Sequence, residues 1–285
     1  MKLLKNWKSK VGFIIVVIIA LCVLFMKVPL YYQARSYITM YVYSKYENKN
    51  SLMAKQGITV NIPGGSSTKE KDWYPFMMVF NDDKGISSYL GRDLNLTVLY
   101  NFGSFSWNQS STDFFQDDSP YFASFYGGYV VKDKLGTKKI GFTEKGEPDI
   151  QEIFSIPEYD YKHLVLESLG CPPEKLKMEI LSYNVKKDVK YAGYDNWVQI
   201  DSFMQINSPN HKYRGDRRAY YQYGNPLKKW NQEDFKLITT YGRLYVRYFE
   251  EFQDTIFLYV MSPDSTTIEN CDATILSKTT ITKNT

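Results

Sequence analysis

The residues that could do chemistry in this chain are few, and the densest set is basic. The run HKYRGDRRAYYQY at 211–223 places Lys212, Arg214, Arg217 and Arg218 among Tyr213, Tyr220, Tyr221 and Tyr223. A guanidinium group can make paired hydrogen bonds to phosphate or carboxylate, and tyrosine adds amphipathic contact area. The run reads as a contact surface for an anionic envelope polymer, lipid headgroups or a partner protein. The alternative is an edge strand whose basic residues keep it from pairing with other chains. The triplet Arg214-Gly215-Asp216 carries no adhesion reading.

A second set is acidic. Asp113, Asp117 and Asp118 sit close in sequence to Trp107, Phe114, Phe115 and Tyr121. A glycoside hydrolase needs two carboxylates across a sugar, with aromatic platforms nearby. The residue types fit, but the pattern is not specific, and a solvated acidic loop is the ordinary reading of it. The same acids lack the spacing of a calcium-binding loop.

The remaining candidates are isolated. The two histidines, His163 and His211, have no partner that the sequence identifies as a base-orienting group. There is no CxxC pair or Cys/His cluster among Cys22, Cys171 and Cys271, so no metal and no cofactor is expected. If residues 31–285 lie outside the cell, Cys171 and Cys271 can form one disulfide closing a loop of about 100 residues; two buried thiols are the alternative. No serine-nucleophile elbow, zinc-protease, phosphate-loop or dinucleotide motif occurs. Gly64-Gly65 and Gly127-Gly128 read as turn material. No catalytic residue is assigned.

What must position these groups begins with a membrane signal. The segment VGFIIVVIIALCVLFM at 11–26 is free of charge and proline. Extended to 11–30, with Lys27 reaching back to the interface, it meets the ~20 residues needed to cross a bilayer. Trp7 and Tyr31-Tyr32 suit the two interfaces, and four lysines before the run put the N-terminus in the cytoplasm. A cleaved leader is the rival, but no small-x-small site ends the run. Lipidation at Cys22 is a weaker rival, because Leu21 precedes it and Val23-Leu24-Phe25 follow.

Composition agrees with one anchor and a folded exterior. The chain has 285 residues, 44% hydrophobic and 23% charged, with a mean hydropathy of −0.39. Those values exclude wholesale disorder and a many-span membrane protein. The net charge of +4 comes from Lys2, Lys5, Lys8, Lys10 and Lys27; the rest of the chain has 30 basic against 31 acidic side chains. A nucleic-acid partner is therefore not expected, since its positive footprint would lie on the folded part.

Periodicity then gives the elements. Ala34, Tyr37, Ile38, Tyr41, Val42 and Lys45 predict a helix over 31–47 with a stop at 48–51, against a tyrosine-rich strand as the rival. Strands are expected at 57–62, 74–80, 94–102, 126–132, 176–180, 198–206 and 256–261, with one more short strand after residue 271. Residues 81–85 read as a loop with Gly85 free to take positive φ. A helix is expected from Ser155 to Leu169, stopped by Gly170 and Pro172-Pro173. Phe235, Ile238, Tyr241, Tyr245, Tyr248 and Phe252 predict a further helix over 231–252, with Arg247 and Glu251 paired across one turn. The rival is a hairpin of 244–249 with 256–261.

The expected class is α+β: an N-terminal transmembrane helix, then a largely antiparallel exterior region with about three helices. The expected division is a cytoplasmic tail at 1–10, an anchor at 11–30 partnered with the lipid bilayer, and exterior units at 31–132 and 155–285. A Lys/Gly/Glu-rich excursion at 133–154 would join the two units. The functional expectation is a single-pass, extracytoplasmic binding or scaffolding protein of the cell membrane. The alternatives are a cell-envelope hydrolase using the 113–118 carboxylates and a subunit of a secretion or DNA-transfer apparatus.

Overall fold

The computed structural model describes residues 2–27, 30–63, 74–80, 84–102, 112–210, 212 and 233–283, with side chains at all of them except 2–9, 25–27, 30–33, 35–37, 74–76, 100–102 and 125. The class is α+β with antiparallel pairing throughout. The described residues form six α-helices, five of them after the first, where about three were expected.

The helix α1 spans Lys2–Lys27, and every side chain described on it, at 10–24, is exposed. Among the described residues no helix is long and apolar enough to cross a membrane. The helix α2, Leu30–Asn50, matches the spacing of three and four in its sequence. Ser51 then caps the short helix α3, Leu52–Lys55, its Oγ accepting from the Ala54 N–H at 3.1 Å.

Two sheets follow. β1 (Ile58–Asn61) pairs with β9 (Thr280–Lys283). The main sheet contains β2 (Tyr74–Phe80), β3 (Leu94–Phe102), β4 (Phe125–Asp133), β5 (Met178–Tyr191), β6 (Tyr194–Asn207), β7 (Leu237–Phe249) and β8 (Asp254–Ser262), in the order β2-β3-β4-β8-β7-β6-β5. Strands from before and after residues 133–154 thus lie in one sheet. Within that excursion Ile140 is buried, and its carbonyl accepts from the Thr255 hydroxyl at 2.7 Å.

Local chemistry explains the joints. β5 and β6 are linked by Ala192 and Gly193, with φ of 47° and 81°, the two positive angles that a tight hairpin of this twist demands. The helix α5, Ile150–Tyr159, starts five residues earlier than expected. Asp149 is its cap and accepts from the Glu152 N–H at 3.1 Å. Pro157 lies inside α5 and cannot donate to the preceding turn, and the chain widens into a π-helical segment at Asp160–Leu166. The helix stops where expected, with Gly170 at φ 88°.

Three expectations fail. Of the loop expected at 81–85, Lys84 and Gly85 instead open the helix α4 (Lys84–Leu90), and 81–83 lie outside the described residues. Gly127 and Gly128 lie inside β4, not in a turn. A Cβ on Gly127 would come within 1.9 Å of the Leu99 carbonyl oxygen, so only glycine fits. Finally, 237–249 is strand, and the hairpin with 254–262 forms instead of the helix over 231–252. Arg247 consequently does not pair with Glu251; it donates to the Asp195 carbonyl at 2.9 Å and lies over the Tyr194 and Phe249 rings.

The sheet is covered on both faces. α5 and the π segment lie against the face carrying Ser202, Leu244 and Tyr259. The helix α6, Ser265–Thr274, and the β1–β9 pair lie on the other.

Candidate functional site

The main polar cluster described is built where α6 meets β5, β6 and β7. Antiparallel register sets Asp201 opposite Arg243, and alternation puts Tyr245 on the same face. The α6 carboxylates complete it. Arg243 Nε donates to Asp201 Oδ1 at 2.6 Å, Nη1 to Asp272 Oδ2 at 2.8 Å, and Nη2 to Glu269 Oε1 at 2.8 Å. Tyr245 donates to Asp272 Oδ2 at 2.8 Å, and Tyr191 donates to Asp272 Oδ1. The two tyrosine rings stack with centroids 3.6 Å apart.

The electrostatics say what this cluster can do. Burial alone would lower the Arg243 pKa, but the hydrogen bonds it donates to Glu269, Asp201 and Asp272 outweigh it and hold the pKa above the ordinary value. Burial, and then the Asp272 charge, push Tyr191 and Tyr245 well above the usual phenol range. Both phenols stay protonated donors at any physiological pH, so neither serves as a base. The cluster fixes α6 to the sheet, with Arg243 bonded to a carboxylate through each of its three nitrogens.

On the opposite face lies a small hollow of about 40 Å³, lined among others by Tyr129, Phe154, Pro157, Tyr161, Met204 and Tyr259. Tyr129 stacks on Tyr259 at 4.8 Å and donates to the buried Asp160 Oδ2 at 2.6 Å. The enclosed part of the hollow has room for a few waters. A larger, more enclosed cavity of about 220 Å³ lies beside the start of α6, lined by Tyr121, Asp264, Thr266, Thr267, Asn270 and Cys271 among others. Asp264 already accepts from the first N–H groups of that helix, those of Thr266 and Thr267.

Of the basic patch, Arg214, Arg217, Arg218, Tyr220, Tyr221 and Tyr223 lie outside the described residues. Lys212 is described and exposed, with Nζ 3.4 Å from Asp234 Oδ2. In the acidic loop, Phe114 and Phe115 are buried, Asp113 accepts from Gln116 Nε2 at 3.3 Å, and Asp117 and Asp118 are exposed; Trp107 is outside the described residues. Cys171 and Cys271 are both buried thiols, and burial raises the Cys171 thiol to about 11. His163 Nδ1 sits 2.8 Å from Glu167 Oε1. Among the described residues no group of three or more His, Cys, Asp or Glu could hold a metal ion.

Sequence reasoning missed Arg243 and its partners because it set residue 243 on a helix. The usable signal was Asp201, an acid within the apolar alternation of 198–206. Comparison of the chain with protein-family models, with curated proteins and with solved structures found no match.

Proposed function

We propose that the protein is a single-pass, membrane-anchored binding or scaffolding protein, with its N-terminus in the cytoplasm and the sheet domain outside. The observation that carries this reading is the surface of α1. Phe13, Val16 and Leu24 are 70%, 63% and 61% exposed, and the apolar residues between them are exposed as well. Displaying that much apolar surface to water costs roughly 25 cal/mol per Å², whereas lipid removes the cost. Lys2, Lys5, Lys8 and Lys10 orient the segment. Binding rather than catalysis is favoured because the polar groups of the best-formed cluster are engaged in holding α6. We put the partner surface at 211–223 on its sequence.

The anchor is tested by extracting membranes with alkaline carbonate and by treating intact cells with protease. The chain should stay in the pellet, and the domain after about residue 30 should be trimmed. Release by carbonate, or full protection in sealed right-side-out membranes, would sink the reading. For the partner surface, changing Arg214, Arg217 and Arg218 together to Ser should weaken retention on anionic envelope polymer with little change in the thermal midpoint. A variant that folds normally and is retained as the parent is would remove the patch from the proposal.

A further inference from the structure

The helix α2 carries two distinct sides, and the sheet uses one. On the inward side Met40 is 1% exposed, the Met77 N–H donates to Ser44 Oγ at 2.9 Å, and Glu47 is half-buried, its pKa raised by burial and lowered by the Val79 backbone. On the outward side Ile38, Tyr41, Val42 and Tyr46 follow helical spacing and are 59%, 47%, 60% and 64% exposed. Lys45 and Lys49 are exposed on that same side, and Lys45 Nζ lies 4.6 Å from the centre of the Tyr41 ring. Glu47, an acid, faces the sheet instead.

A helix packed on a domain by one stripe normally shows water a polar opposite side. Aliphatic residues, tyrosines and lysines together make a different surface. It suits a helix lying in the boundary layer of a bilayer, with rings at headgroup depth and ammonium groups among the headgroups. The helix begins three residues after α1 ends, so an anchored α1 delivers it to that boundary. We propose that the outward side of α2 lies on the outer leaflet and takes anionic lipid headgroups through Lys45 and Lys49. The inference rests on the anchored reading of α1. A second copy of α2 fits less well, because it would bring the lysines of two chains together.

The test uses the full chain in phosphatidylcholine vesicles, with or without phosphatidylglycerol as the minority lipid. In a Cys22→Ser background, which leaves only the buried Cys171 and Cys271, Val42→Cys carries a solvent-sensitive dye. Ser182→Cys, exposed on β5 at the opposite end of the sheet, is the control. A quencher on the lipid tails should dim the dye at 42 and spare the dye at 182, more strongly with phosphatidylglycerol present. Changing Lys45 and Lys49 to Gln should lower the docked-to-undocked ratio about fivefold for each lysine. Equal quenching at both positions, or none at 42, overturns the inference, as does oxidative coupling of two Val42→Cys chains without quenching. Carbonate extraction separates the two levels: if the chain is stripped, the anchor fails; if it holds while 42 stays wet, only the docking of α2 fails.

Discussion

At the scale of single residues, two buried charges make opposite demands. Arg243 holds Asp201, Glu269 and Asp272, and its own side chain is 14% exposed while that of Glu269 is 65% exposed. Arg243→Leu would strand carboxylates against the sheet, and we expect a loss of about 2–3 kcal/mol in denaturant unfolding, below the 3–5 kcal/mol of a fully buried pair. Glu269→Gln should cost under about 1 kcal/mol, as exposed ion pairs do. Equal losses would mean that exposure is not what grades these contacts. Asp254 is the contrary case. It is fully buried, 3.6 Å from Lys132 Nζ, and burial lifts its carboxyl to about 6 although Lys132 and Gln56 pull it down. A folded pKa above the unfolded 3.8 means that the native state binds the extra proton. This residue therefore lowers stability above about pH 6, and that penalty fades as pH falls toward about 4. Asp254→Asn should stabilise the fold at pH 7 by up to about 3 kcal/mol, less whatever Lys132 loses, with the gain vanishing near pH 4. A gain that is flat with pH would remove the carboxyl as its cause.

At the scale of elements, burial on both faces did not by itself hide a strand: β8 is buried along its whole length and was still expected at 256–261. The bounds of β2 and β3 follow from alternation and turn residues alone. β7 did not, because it lies between β6 and β8: Leu244, Tyr245 and Val246 are buried in succession, which erases the period of two and leaves tyrosines at helical spacing. The Arg243 cluster was illegible for a related reason, since its members come from 191 to 272 and only strand register brings them together. Gly127 shows how tight that register is. A Cβ there would meet the Leu99 carbonyl at 1.9 Å and the Tyr259 hydroxyl at 2.9 Å. Gly127→Ala should cost about 3 kcal/mol or more, because a backbone carbonyl must move. A drop in thermal midpoint no larger than that of an exposed substitution would refute this close approach.

At the scale of the whole molecule, one core cluster runs from Met40 to Ile281. β4 pairs with β8 across the intervening excursion and three other strands of the sheet. Such long-range pairing means that neither half completes its sheet alone, and it slows folding relative to local topologies. We expect one cooperative calorimetric transition for residues 34–285. Two separated transitions would show independent units on either side of 133–154.

The two ends of the main sheet are guarded by unlike means. β5 carries Lys186, Lys187 and Lys190 along its exposed length, charges that deter pairing between chains. β2 is uncharged, and α2 lies along it, with Ser44 taking the N–H of Met77 and Glu47 turned toward Val79. A proteolytic clip between 51 and 57 would therefore do more than shed a soluble domain. It would uncap a greasy template, and shed molecules would zip together through it. Residues 34–285 should run as a single species in light scattering, while residues 52–285 should grow into large particles. Equal behaviour of the two would mean that the strand needs no chaperoning by its own stalk.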